Sequence, residues 1–317
     1  MRSFAVHCGR RVLGAAATVL VASAAVYGSL RLMPGDPVLA VSGASRLSPD
    51  QIEALRQRYG LDQGVVTGYL DWLGHALRLD LGTSLSFQTE VGTLVSARLG
   101  VSGLLIAYAA ILALVLGLGT ALVSAVRGGL ADRIATAAAA VATATPSFVA
   151  AIILLAVFAV GLGWFPATGA GSGFADRLWH LTLPAVAMAI AVFGVLARVG
   201  HAALRAELDR EHVEAARGRG VGGAALIARH VVRNALAPLV TVIGVMVASL
   251  FVGTAVVETA FGLDGVGSLL ITAVSRRDFP VVQGIALIAV LLFVVVNTVV
   301  DLVLPLLDPR TARGVKA

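Results

Sequence analysis

Six stretches of this sequence carry no Asp, Glu, Lys or Arg: Val12–Leu30, Leu99–Val126, Ile134–Ala175, Leu178–Ala197, Asn234–Val257 and Phe279–Val300. A helix needs about 20 mainly apolar residues to cross a hydrocarbon core of about 30 Å, and every run is of that order or longer. Composition agrees. Of 317 residues, 58% are hydrophobic and 13% charged, with a mean hydropathy of +0.92. Soluble domains carry about 25% charged residues. A soluble fold of this chain would lack the polar residues to cover its core, so the expected class is an all-α polytopic membrane protein with six transmembrane helices.

The third run is too long for one helix. Its tail, "GLGWFPATGAGSG", is rich in glycine and proline and places Trp164 and Phe165 like interfacial aromatics, which predicts a loop closing the third helix. The organisation expected is an N-terminus and first span over 1–31, an extracytoplasmic helical segment over 32–98, a core of five spans over 99–304 with a cytoplasmic loop at 202–235, and a tail over 305–317.

Arginine placement sets the orientation, because cytoplasmic loops collect basic residues. With a cytoplasmic N-terminus, the inner segments hold 15 basic and 6 acidic residues, and the outer segments hold 9 basic and 10 acidic. Both termini are therefore expected in the cytoplasm. Arg10 and Arg11 ahead of an apolar run, with "ASA" at Ala22–Ala24, also resemble a cleavable signal, but the run continues to Leu30, which suits a retained helix. The net charge of +6 does not point to nucleic acid, since the basic residues fall in the gaps between apolar runs. Cys8 is the single cysteine, so neither an intrachain disulfide nor a multi-cysteine metal site is available.

In the outer segment, "MPGDP" ends the first helix. "SPDQ" at Ser48–Gln51 has the form of a capping box opening a helix to about Tyr59, stopped by Gly60, and a second helix is expected around Val65–Leu77.

Between the fourth and fifth runs the pattern breaks. Arg198 to Arg233 contains seven arginines and four acids. Burying these eleven charges in lipid at about 3 kcal/mol each would cost roughly 30 kcal/mol, so the segment lies in water or against protein. Glu207–Arg217 has good helix formers, "GRGVGG" supplies a turn that needs positive φ, and a second helix begins near Ala224 and enters the fifth run. Ala215 and Ala216 would admit another backbone closely, with Glu214 and Arg217 offering charge pairing. A solvated loop that merely orients the chain and an element that docks a partner both fit these residues.

Several catalytic chemistries fail at the motif level. Gly218, Gly220 and Gly223 match G-x-G-x-x-G, but no strand precedes them and the next acid is Glu258, at the far end of a span. The only lysine is Lys316, so no phosphate-binding P-loop exists. Neither an H-E-x-x-H zinc motif nor a G-x-S-x-G nucleophile turn is present. Within the spans, Pro146 frees the carbonyl of Ala142, with Thr143 and Thr145 at hand to satisfy it; a kink lining a hydrated path and plain helix packing both account for it. Asp301 is expected to cap or pair near the cytosolic edge, Glu258 to sit at the outer end of the fifth helix, and His180 and His201 to lie at interfaces.

At "EAARGRG" (Glu214–Gly220) the sequence resembles the EAA loop of ABC-importer permease subunits. "RLMPGDPV", "DLGTS" at Asp80–Ser84, "PSF", "GLGWFPATG", "RHVVRNALAPLVT", "VVETAFGLDGVGSLL", "RRDFPVVQG" and "VNTVVDLVLPLLDPR" resemble the peptide and nickel branch of that family, over essentially the whole chain. One departure is Val232-Arg233, where the wider family often has Leu-Pro; Pro238 follows five residues later. The resemblance implies a type I importer permease fold in a bacterial cytoplasmic membrane and no catalysis by this chain. It implies ATP and Mg bound by two partner ATPase subunits, a second permease, and an extracytoplasmic binding protein that selects the cargo. It makes Glu211, Glu214, Ala215, Ala216, Arg217, Gly218 and Gly220 the candidate ATPase-coupling residues. Thr143, Thr145, Pro146, Ser147, Ser249 and Asn297 are the polar or helix-breaking candidates for the translocation path. Short peptides are the implied cargo, with nickel or another small solute as the alternative. An ATP-independent secondary transporter is the more distant alternative; inverted repeats or mid-membrane charges would favour it, and neither is found.

Overall fold

The computed structural model describes residues 2–31 and 64–307, together with Ser48, Asp50 and Glu53. The expected turn at "MPGDP", the helix from Ser48 to Tyr59 and the tail beyond residue 307 lie outside the described residues. Among those described, the chain is helical throughout, and the only β pairing is an isolated bridge between Thr83 and Glu90.

The helices, in chain order, are α1 Arg2–Arg31, α2 Val65–Leu77, α3 Val91–Arg127, α4 Gly129–Ala144, α5 Ser147–Leu154, α6 Phe174–Leu208, α7 Glu211–Gly218, α8 Gly223–Leu226, α9 Arg233–Ala260, α10 Val266–Ser275 and α11 Phe279–Leu307. Wide π-helical turns continue α5 through Leu155–Gly161 and join α8 to α9 through Ile227–Val232. Five helical runs are long and apolar enough to cross a membrane, and the α4–α5 pair, bent by 100° at its break, makes up to a sixth. The second outer helix occupies the predicted span, Val65–Leu77.

Three expectations need correction. The boundary at residue 98 falls inside α3, which begins eight residues before Leu99 because Val91 and Val95 are fully buried in the outer cluster. Glu207 does not start the short cytosolic helix; α6 runs through Leu208, and α7 begins only at Glu211. Pro146 does not sit inside a kinked helix. It terminates one helix and opens the next in extended backbone, φ −60° and ψ 144°, as expected of a residue that cannot donate into the preceding turn. The carbonyl of Ala142 is taken by the backbone N–H of Thr145 at 3.2 Å, not by a threonine hydroxyl. Thr143 and Thr145 instead donate to the carbonyls of Ala139 and Val141, one turn back.

The main core lies between α3, α6 and α9, where Leu105, Ala109, Ala113, Met188, Leu196 and Leu239 are buried. Small residues bring these helices together, as expected where no hydrophobic force acts between helices in lipid. A methyl on Gly117 would press on the Leu196 side chain at 3.0–3.1 Å. One on Gly194 would overlap Thr143 Oγ1 and the Ala139 carbonyl, so this glycine lets α4 cross α6 beside the break. A second cluster at the outer end joins Val91 and Val95 of α3 to Val266, Leu269 and Ala273 of α10 and to Val281 and Ile285 of α11.

Candidate functional site

The segment after α6 forms a compact helix–turn–helix. Arg210, in extended backbone, opens α7, and its carbonyl accepts the N–H groups of Val213 and Glu214 at 2.9 and 3.2 Å. At the far end the Gly220 N–H bonds the Arg217 carbonyl at 3.0 Å, and the Val221 N–H bonds the Ala216 carbonyl at 3.1 Å. Gly220 has φ +83°. This is a Schellman cap, which places a left-handed residue one past the helix end; glycine occupies it without a Cβ penalty. Val221 then packs back on the cluster that contains Val213 and Ala216.

Burial divides α7 into two faces. Val213 and Ala216 are fully buried against the chain itself, while Glu211, His212, Glu214, Ala215, Arg217, Gly218, Arg219 and Gly220 are exposed. Of the two alanines, Ala215 alone is free to meet a partner; Ala216 is committed to the core. Side chains hold α7 to its neighbours. Glu207, at the end of α6, lies 3.6 Å from Arg210 and 3.7 Å from His212. The His212 ring nitrogen Nε2 is 3.0 Å from Asn234 Nδ2 and 3.2 Å from the His230 carbonyl. These contacts link α7 to the end of α6 and to the start of α9.

Of the six path candidates, Thr143, Thr145, Pro146 and Ser147 gather at the α4–α5 break. Ser249 lies in α9 and Asn297 in α11, and each turns its polar group onto its own helix, at the carbonyls of Met246 (2.8 Å) and Phe293 (2.8 Å). Arg198 of α6 reaches the break and donates to Thr143 Oγ1 at 3.0 Å, a partner that sequence reading did not find.

Further groups come together from distant sequence. Glu258 is fully buried: Oε1 accepts the Ser102 hydroxyl at 2.6 Å and Oε2 the Ser268 N–H at 2.9 Å, joining α9, α3 and α10. The Ser102 hydroxyl oxygen in turn accepts the Val266 N–H at 2.8 Å. Asp278, also fully buried, accepts the Ser84 hydroxyl and the N–H groups of Leu85 and Ser86. A lone aspartate before "FP" signals a helix start; nothing in the sequence signals Ser84 as its partner. His201 bonds Ser124 Oγ at 2.8 Å and lies 3.5 Å from Asp132. His180 lies 3.4 Å from Asp176. Asp301 pairs with Arg11 at 2.7 Å, tying α11 to α1. Among the described residues no cluster of three His, Cys, Asp or Glu side chains is placed to hold a metal ion.

Comparison with known proteins covers nearly the whole chain. Residues 87–313 match the family described as binding-protein-dependent transport system inner membrane component, and residues 1–89 match the N-terminal family of such membrane components. A Brucella ovis protein provisionally named a peptide permease is 33% identical over 312 residues, covering 96% of this chain and 98% of that one. The glutathione transport system permease protein GsiC of Escherichia coli is 32% identical over 301 residues, covering 95% and 96%. A chain of the MetNI methionine ABC transporter, solved in inward-facing conformations, matches with a TM-score of 0.49 and 14% identity over 71% of this chain and 97% of that chain. The helical architecture of five or six candidate spans among the described residues and the match over both segments lead to one assignment: the chain belongs to the family of binding-protein-dependent transport system inner membrane components, the permease subunits of ABC importers.

Proposed function

We propose that this chain forms half of the translocation path for short peptides in an importer driven by ATP hydrolysed on separate subunits. The observation that carries the coupling role is α7: a short capped helix with an exposed face of Glu211, Glu214, Ala215, Arg217, Gly218 and Gly220, tied by its other face to two membrane-entering helices. Two ATPase subunits, holding ATP and Mg, would each dock one permease at this face. A second permease would complete the path, and a binding protein would deliver cargo from outside. The basic residues of Arg198–Arg233 support a cytoplasmic location for α7 and both termini, in the cytoplasmic membrane of a bacterium. The peptide reading is supported by the names of the relatives; nickel uptake is the competing reading.

The test uses the chain co-purified with its partners and reconstituted in vesicles. Gly220→Val forces a β-branched residue into left-handed backbone, at about 1–2 kcal/mol or more, and so displaces the end of α7. ATP hydrolysis should persist while transport per ATP falls. Gly119→Ala, in α3 away from this face and with nothing within 4 Å of the added methyl, should transport normally. Normal transport by Gly220→Val removes the coupling assignment. Uptake of nickel but not of labelled dipeptides or glutathione removes the peptide one.

A further inference from the structure

The outer helix α2 has three faces. Tyr69 and Trp72 face α1, where Tyr27, Tyr69 and Trp72 form an aromatic trio with ring centroids 5.7–6.3 Å apart. Thr67, Asp71 and His75, spaced four residues apart, form a polar stripe, with His75 beside Asp71 (3.9 Å) and Asp80 (3.0 Å). Val66, Leu70, Leu73 and Leu77, at i, i+4, i+7 and i+11, form an apolar stripe on the third face. That stripe is open: Val66 is 71%, Leu70 59% and Leu77 78% exposed.

The depth of α2 decides what covers it. The Tyr69 hydroxyl bonds Ser23 Oγ at 2.9 Å and the Leu20 carbonyl at 3.2 Å. The apolar span of α1 runs from Gly9 to Gly28. At 1.5 Å per residue, Ser23 lies about 7 Å inside its outer end. Just beyond the other end of α2, Leu81 sits against Gly284, within two turns of the outer start of α11 at Phe279. The second turn of this 13-residue helix, about 20 Å long, and the chain four residues past its end are therefore anchored near the outer ends of α1 and α11. Two anchors near the outer ends of spanning helices set α2 at the outer boundary of the bundle, the level at which amphipathic helices bury an apolar face about 5–10 Å deep. On α1, beside the Tyr69 contact, Leu20 and Val21 are likewise open, 50% and 72% exposed. Tyr and Trp favour this boundary, with one end apolar and the other wet.

We infer that α2 is an interfacial helix whose Val66–Leu70–Leu73–Leu77 stripe is occupied by phospholipid of the outer leaflet, while Asp71 and His75 face water. The second permease and the binding protein are the competing occupants, and the test separates them from lipid.

The test places single spin labels at Leu70→Cys, Leu77→Cys, Asp71→Cys and Val21→Cys, with Cys8→Ser, in the partner-assembled complex in phosphatidylethanolamine–phosphatidylglycerol vesicles. Accessibility to oxygen, relative to a water-soluble nickel chelate, reports the phase around each label. Positions 70 and 77 should match the lipid-phase value of position 21, and position 71 should show the aqueous value. Aqueous values at 70 and 77 overturn the inference. Shielding of both from both reagents also overturns it, since protein then covers the stripe. A value at 21 outside the lipid range overturns the membrane placement of α1 as well. Should the cysteine variants fail to assemble, a diazirine-bearing phospholipid applied to the unaltered chain is expected to mark Val66, Leu70 and Leu77; exclusive marking elsewhere contradicts the proposal.

Discussion

Glu258 offers the sharpest check on the packing described for this chain. Its carboxyl is fully buried and accepts two donors, the Ser102 hydroxyl and the Ser268 N–H. Glu258→Ala strands both in a dry site. Each orphaned donor costs about 1–3 kcal/mol, which gives a loss of about 2–6 kcal/mol. At about 2–4 °C per kcal/mol for larger domains, the midpoint of thermal unfolding should fall by roughly 5–20 °C. Glu258→Gln keeps the shape and one acceptor oxygen but turns an amide NH2 toward the other donor, so it should fall between wild type and Glu258→Ala. Ser102→Ala removes one donor from Glu258 and strands the Val266 N–H, and should cost about 1–3 kcal/mol. The double variant should lose less than the sum of the singles, because the residues share one network. The assay is thermal unfolding of the purified permease in detergent, followed by loss of the monodisperse peak. If Glu258→Ala stays within about 0.5 kcal/mol of wild type, the range of ordinary surface changes, the buried junction is not the tie described here.

Gly194→Ala should destabilise by about 1–3 kcal/mol and impair uptake, since its methyl overlaps Thr143 and the Ala139 carbonyl, whereas Gly119→Ala, with nothing within 4 Å, should be neutral or slightly stabilising. Thermal unfolding and uptake measured on both variants check this pair. The Gly82 N–H, and then the His75 side chain, hold the Asp80 carboxyl below the ordinary carboxylate range. Because its folded value is depressed, its contribution is complete above the unfolded value of about 3.9 and is lost as pH falls through the folded one. Asp80 is too exposed to weigh on global stability. The effect should appear as faster hydrogen exchange over residues 78–90 in Asp80→Asn than in wild type at neutral pH, with the difference vanishing in acid.

What the sequence reveals depends on how local the physics is. The bounds of α2 follow from its own residues, and the Schellman geometry at Gly220 follows from a glycine placed after a helix-forming run. The break at Pro146 was legible as a lost donor, but its 100° angle was not, because the angle depends on Gly194 giving α4 room against α6, fifty residues away. Glu258 was legible only as an acid near a helix end. Its partners come from positions 102 and 268, and no periodicity within α9 points to either. Ala216 looked as available as Ala215; only the folding of α7 back on the segment Gly223–Val232 separates them.

The break after α4 also bears on the thickness of the membrane around this chain. From Ser147 to Gly161 the chain rises at most about 22 Å along its axis, short of a hydrocarbon core of about 30 Å. Phe148, Ile152, Ile153, Val157 and Val160 stand exposed along it. A bilayer meeting that surface must thin, at fractions of a kcal/mol per ångström, unless another polypeptide takes its place. Lengthening the acyl chains of the host lipid should therefore penalise the isolated subunit more than the assembled importer, so that bilayer thickness itself favours assembly.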